Sequence, residues 1–443
     1  MGMDDAKPTF AMVLSGGGAK GAYEAGVIHY IRTVLAKDIG KQPHFSIYSG
    51  SSVGAINSAQ LASTAQDPFL QGVRLREIWR KLDSDQIYFT DRRALSGLLA
   101  KAGFTMAATF FGLRRIGRKD ASKLSFPFKS ILDTTPFLHF LHRNLDWSMI
   151  QENLKTRAFD AIAVSATHMI TGRLTLFVQK GQDVPYSSGA HVGPVYVQIA
   201  PKHILASAAI PMIFPLIRVN GEFYGDGSMR QNTPMSPAVH MGANRLLVIS
   251  LRDKERPLPE IHLNHNPFPE PQEENDILPR PADVLGKLLN TIFQEKLDYD
   301  LVQMQRINHL IDDFETVCGP DSLEKVIALR DHMRTQGVPV GSLQRILPFV
   351  ISPSEDIGQI ATDHFRRLLS RRQSLNAVQR FFAKAVESSP QGKNDFISYL
   401  LFEREYLEDL IQLGHEDARR NHDYLAKFLT NQSLKKGAAS MPR

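Results

Sequence analysis

The chain of 443 residues contains one cysteine, Cys318, and no apolar run long and charge-free enough to span a bilayer. A lone cysteine excludes a disulfide framework or a thiolate metal site within one chain, and it fits a reducing compartment. The nearest approach to a spanning segment, Ala94 to Leu113, is interrupted by Lys101 and diluted with Ser, Thr and Gly. The opening MGMDDAKPTF holds two acids and no apolar core, so it lacks the pattern of a secretory signal. Ala6 stands where a myristoylation pattern needs Ser or Thr. The expectation is a cytoplasmic protein without a transmembrane helix, meeting membranes at most peripherally. Clustered bases interleaved with aromatics are also missing, which argues against a nucleic-acid partner. Net charge is +6, a mild excess that suits anionic headgroups but is ordinary for a soluble enzyme. With 43% hydrophobic and 22% charged residues, a large core is available, and the length suits two domains.

Against these absences, two loops stand out. Thr9 to Leu14 has the form of a short buried strand and runs into GGGAKG, Gly16 to Gly21. Ala22 to Lys37 then places Val27, Ile28, Ile31, Val34 and Leu35 on one helical face, and Phe45 to Tyr48 forms a second strand. Strand, loop, helix and strand in that order indicate an α/β fold with a parallel sheet. The second strand leads into Gly50-Ser51-Ser52-Val53-Gly54, followed by small residues suited to a helix. G-x-S-x-G between strand and helix is the nucleophile-elbow pattern, with Gly50 and Gly54 flanking a sharp turn that exposes the Ser52 hydroxyl.

The glycine loop admits two chemical readings. Gly16, Gly18 and Gly21 match the dinucleotide fingerprint G-x-G-x-x-G, which makes a nucleotide-binding regulator the rival of another class. That fingerprint needs an acid closing the second strand, which here ends in Tyr48-Ser49-Gly50. The other reading is an oxyanion hole: glycine amides at a helix N-terminus, free of Cβ crowding and at the positive end of the helix dipole. An elbow serine on the next strand would sit beside them, so this reading explains both loops.

Strand patterns resume at Phe159 to Ser165, Arg173 to Val178 and Val195 to Ile199, followed by a small-residue helix in Ile204 to Phe214 that Pro211 stops. Asn220-Gly221 between alternating residues predicts a tight hairpin that delivers Asp226-Gly227-Ser228 at its end. Asp226 is the candidate general base for Ser52, provided partial desolvation lifts it above the ordinary aspartate pKa of ~3.9. A Ser-acid-His triad would call on His240 or a later histidine, since His168 and His203 precede Asp226. His240 falls mid-helix, and a Ser52–Asp226 dyad is the preferred arrangement.

Taken together, GGGAKGAYEAGV, GSSVG and ASAAIP followed by DGS resemble the patatin-like phospholipase family over roughly Phe10 to Leu251. The resemblance implies a three-layer core with a mainly parallel sheet flanked by helices. It also implies a Ser-Asp dyad without histidine, and an acyl-enzyme route for cleaving lipid esters. It assigns Ser52 as nucleophile, Asp226 as base, Gly16, Gly17 and Gly18 as the oxyanion loop, and Lys20 as the basic residue of that loop. Gly21, Gly50, Gly54 and Gly227 support the motifs. No cofactor or metal is called for, and the partner is a phospholipid or other acyl-ester lipid. The family usually places Gly or Ala after Asp-Gly; Ser228 stands there, and would be strained if that position needed positive φ.

The expected organisation is an acyl hydrolase domain over 9–252, a Pro-rich linker or loop over 253–281, a helical C-terminal region over 282–430 and a disordered tail over 431–443. Similar helical extensions occur in bacterial patatin-like proteins. Within the region, Val284 to Ile311, Gln359 to Glu387 and Phe396 to Leu413 are helical by period. Leu347 to Gly358 forms a strand and turn, and Leu413-Gly414 is a helix stop. Leu98 to Lys119, with Phe104, Met106, Phe110 and Phe111 ahead of four bases, suits a lid over the site or a helix that docks on lipid.

Overall fold

The structure is a computed structural model that describes residues 8–88, 132–186, 193–211, 213–252, 297–319, 321–335, 343–370 and 395–431. The expected lid or docking segment Leu98 to Lys119, the linker 253–281 and residues 432–443 of the tail lie outside the described residues.

Along the chain come β1 (Phe10–Leu14), α1 (Gly21–Tyr30), β2 (Ile47–Ser51), α2 (Val53–Ser63), α3 (Pro68–Arg80) and the single turn α4 (Ser84–Ile87). The chain continues with α5 (Thr135–Asn144), α6 (Trp147–Lys155), β3 (Ala161–His168), β4 (Leu174–Lys180), β5 (Pro194–Tyr196) and α7 (Pro201–Ser207). The hairpin β6 (Ile217–Val219) and β7 (Glu222–Asp226), α8 (Met235–His240) and β8 (Arg245–Ile249) complete the first part. The C-terminal region contributes α9 (Leu297–Cys318), α10 (Ser322–Thr335), β9 (Leu347–Ile351), α11 (Ile357–Ser370), α12 (Asp395–Leu400), α13 (Arg404–Arg420) and α14 (His422–Leu429).

A strand with apolar residues at every position needs cover on both faces. β1 has it: Met12 and Leu14 join one core cluster, and Ala11 and Val13 join the other. The sheet runs β5-β4-β3-β2-β1-β8-β9, with β6 and β7 attached through β3. Pairing is parallel from β3 through β2, β1 and β8 to β9, while β4 and β7 run antiparallel to β3. α1, α2 and α13 cover one face, and α8 with the start of α9 covers the other, giving the expected three layers. Among the described residues no helix is long and apolar enough to cross a membrane.

Register brings the three motifs together. Leu14 pairs with Gly50, Ser51 with Ser165, and Ala166 with Asp226. The glycine loop, the elbow and the hairpin acid therefore converge at the carboxyl ends of the parallel strands, where open α/β sheets bind ligands. Asn220 (φ 52°) and Gly221 (φ 94°) form the expected hairpin turn.

Tertiary pairing shifts several boundaries. β2 starts at Ile47 rather than Phe45 and takes in Ser49, Gly50 and Ser51; ladders to β1 and β3 on its two sides override the weak strand preference of Ser and Gly. α7 begins at Pro201 rather than Ile204, with proline in the first turn, and ends at Ser207 ahead of Pro211. α1 is buried nearly all round rather than along one face, because α13 packs across it. Gly414 is not a helix stop: α13 runs through it to Arg420. A methyl there would overlap the Tyr23 carbonyl, and one at Gly26 would overlap the Ile411 carbonyl. Both glycines serve a close crossing of two backbones, which Tyr23 Oη extends by donating to Asp417 Oδ2 at 3.0 Å.

Helix propensity alone makes Ala better than Gly by ~1 kcal/mol in a helix interior. The crossing predicts the opposite sign. Gly414→Ala is expected to lower stability by ~1–3 kcal/mol through overpacking, measured by urea unfolding. An unchanged or raised midpoint would show that the crossing yields freely.

Candidate active site

Ser52 occupies the joint between β2 and α2 with φ 51° and ψ −118°, a combination that costs a residue with a side chain about 1–3 kcal/mol. The turn is possible because its flanks lack side chains: a methyl at Gly50 would overlap the Gly54 carbonyl, and one at Gly54 the Leu14 carbonyl. The Ser52 amide donates to Ser207 Oγ at 2.9 Å, and its carbonyl accepts from the Ala55 amide at 3.0 Å. With the backbone so fixed, Ser52 Oγ donates to Asp226 Oδ2 at 2.7 Å.

Asp226 is fully buried and Ser52 is 2% exposed. The acid's amide donates to the Ala209 carbonyl at 2.9 Å, its carbonyl accepts from Thr167 Oγ1 at 2.8 Å, and Oδ1 accepts from the Ser228 amide at 2.8 Å. Burial pushes the carboxyl up to about 6, against the pull of the Ser52 and Ser228 hydrogen bonds. Ser228 does not have positive φ, so the departure from Gly or Ala brings no backbone strain. Gly227 packs against the Ser165 carbonyl, and Gly21 opens α1 beside Val53 and Trp79.

Among the described residues no histidine bonds to Ser52 or Asp226. His168 joins Thr171 and Glu222. His203 Nδ1 accepts from the Ala200 amide, and burial lowers this ring to about 4. His240 ends α8 with its ring 5.7 Å from that of Tyr186.

The glycine loop departs from expectation at one amide. Gly16 N–H donates to the Asn232 carbonyl at 3.0 Å and so is not free for a ligand; the bond ties the loop to the segment after the acid. Gly17 is extended at φ 171° and Gly18 turns left-handed at φ 58°, and neither amide donates to a protein acceptor among the described residues. Lys20 is buried, with its ammonium 4.6 Å over the Tyr399 ring, so it clamps α12 rather than facing solvent.

Ser52, Gly18 and Val53 lie at a pocket with about 670 Å³ of space outside protein atoms, part of it open to solvent. Ile56, Asn57 and Gln60 continue its wall along α2, and Leu75, Ile78 and Trp79 come from α3. Phe137, Phe140, Ile210, Phe214, Leu400 and Phe402 complete an almost wholly apolar lining. Asn57 Nδ2 donates to Glu24 Oε2 at 2.7 Å and Asn57 Oδ1 accepts from Trp79 Nε1 at 2.9 Å, joining α1, α2 and α3 behind the loop and elbow. Beyond Gly18, Ser52, Val53 and Ile210, none of these lining residues belongs to a motif of the sequence. The 53, 56, 57, 60 spacing on α2 is the one signal that points to the wall; Phe137, Leu400 and Phe402 arrive through long-range packing.

The raised carboxyl carries a stability consequence. A carboxyl whose folded pKa lies above its unfolded value favours folding when protonated, and the penalty grows as pH rises from about 4 to about 6. Above that range the penalty amounts to ~3 kcal/mol, at 1.36 kcal/mol per unit. Asp226→Asn keeps the shape without the charge, so its melting temperature should exceed that of wild type at pH 8 and converge with it near pH 4. Equal melting temperatures at pH 8 would mean that the carboxylate is solvated.

The family model described as patatin-like phospholipase matches residues 12–239. No curated protein matches the chain. Among solved structures, VipD from Legionella pneumophila aligns over 91% of this chain and 67% of its own length, at 12% identity and a TM-score of 0.28. The matched span takes in the glycine loop, the Ser52 elbow and the Asp226 turn, and by it the chain belongs to the patatin-like phospholipase family.

Proposed function

We propose that the protein is a serine lipid acyl hydrolase of phospholipase A or lysophospholipase type, working through a Ser52–Asp226 dyad. The observation that carries the reading is the 2.7 Å hydrogen bond from Ser52 Oγ to Asp226 Oδ2, with Ser52 lining an apolar pocket. The fatty-acyl chain lies in the pocket and the ester carbonyl beside Ser52. Asp226 takes the hydroxyl proton as Oγ attacks, and returns it to the departing alkoxide. The Gly17 and Gly18 amides hold the developing oxyanion at the N-terminus of α1, where one such donor is worth ~3–4 kcal/mol. Water, deprotonated by Asp226, then releases the fatty acid and restores the serine.

Burial supports Asp226 in this role, because a base works best with a pKa near the operating pH. Neutral-glyceride lipase and transacylase activities use the same parts and differ in what enters or accepts the acyl group.

Labelling with a fluorophosphonate tests the nucleophile: Ser52→Ala should abolish it, and labelling that survives would move the chemistry to another residue. On a soluble ester such as p-nitrophenyl butyrate, Asp226→Asn should lose ~10²–10⁴-fold in kcat. For wild type, kcat/KM should rise with pH through about 6 and then level, since only the ionised carboxylate accepts the proton. A profile flat from pH 5 to 8 would remove Asp226 as the base.

A further inference from the structure

The β6–β7 hairpin projects beyond the catalytic end of the sheet. Asp226 pairs with Ala166 next to the elbow level, and β7 extends outward from there, with Phe223 three residues, about 10 Å, further out. Tyr224 turns inward against Phe177, so the alternate residue Phe223 faces out, as does its register partner Arg218 and, two residues earlier, Leu216. The β3–β4 turn runs alongside: the Met169 amide donates to the Phe223 carbonyl at 2.8 Å, and Met169 Sδ and Leu216 Cδ2 both reach over Gly225. Ile170 at the tip of that turn is 74% exposed, Phe223 44% and Leu216 39%.

Exposed arginines edge this apolar surface. The Arg218 guanidinium lies 5.7 Å over the Phe223 ring, Arg230 Nε donates to the Gly172 carbonyl, and Arg173 closes the turn. The acid of the hairpin, Glu222, is paired with His168 at 3.2 Å, and the three arginines have no acidic partner among the described residues. Protruding apolar side chains ringed by cations match a bilayer with anionic headgroups: the rings and aliphatic chains enter the interface, and the guanidiniums meet phosphates.

We propose that Ile170, Leu216 and Phe223, with Arg173, Arg218 and Arg230, form the surface that docks this protein on anionic phospholipid bilayers. Docked this way, the carboxyl end of the sheet, which carries Ser52, faces the membrane. The choice of a bilayer as partner rests on the acyl-hydrolase reading, but docking is measured without turnover.

Co-sedimentation with vesicles of phosphatidylcholine containing phosphatidylglycerol, against vesicles of phosphatidylcholine alone, tests the surface. Wild type should bind the anionic vesicles more tightly, and less so as salt rises. Ile170→Asp with Phe223→Asp, and separately Arg173→Glu with Arg218→Glu, should each weaken partition by ~10-fold or more. Hydrolysis of p-nitrophenyl butyrate and the melting temperature should match wild type in both. Absent wild-type binding, or binding unchanged in both double variants, overturns the proposal. So does a change in sedimentation coefficient with vesicle binding intact, which makes the patch a contact between copies of the chain. If wild type hydrolyses no ester yet its vesicle binding needs these residues, the docking surface stands and the hydrolase reading falls.

Discussion

The hydrogen bond between Ser52 Oγ and Asp226 Oδ2 joins two groups that water scarcely reaches, and the surrounding chain is arranged to hold them there. A carboxylate removed from water is costly unless its oxygens are satisfied. Here each oxygen has a donor, one the serine hydroxyl and the other the Ser228 amide. Neither partner is free to drift: the serine sits in a strained joint closed by backbone contacts, and the acid is pinned through its own amide and carbonyl. Strand register sets their separation, since Ser51 pairs with Ser165 and Ala166 with Asp226.

Backbone proximity recurs one layer out. The crossing of α1 and α13 depends on Gly26 and Gly414, and Lys20 reaches from the glycine loop to the Tyr399 ring on α12. Leu400 and Phe402 belong to the pocket wall, and β9 extends the sheet beside β8. Segments from beyond the Pro-rich stretch are thus part of the site and of the sheet that carries it.

Features governed by local chemistry were legible in the sequence. The elbow, the Asn220-Gly221 hairpin and the strand that ends in the glycine loop each depend on a few neighbouring residues with special φ or apolar runs. The α/β class followed from their order. Less legible was anything settled by partners far along the chain. Gly414 looked like a helix stop because a stop and a close crossing both demand a missing side chain. Gly16 looked like a free donor because nothing in GGGAKG announces that Asn232, over two hundred residues on, takes its amide. Nothing around Lys20 in the sequence announces that its ammonium lies over the Tyr399 ring, almost four hundred residues on. The aromatic lining from Phe137 and Phe402 has no periodic signature of its own.

One such feature, the packing of α1 on α13, bears on how the molecule is made. A ribosome delivers Tyr23 and Gly26 almost four hundred residues before Ile411, Gly414 and Asp417 emerge. Through most of synthesis α1 has no cover on that side, and β8 is an open sheet edge until β9 follows. Long-range closure of this kind slows folding and leaves sticky surface in the meantime. The last helices thus act as the latch of the fold, and the nascent chain must be kept from aggregating until they arrive.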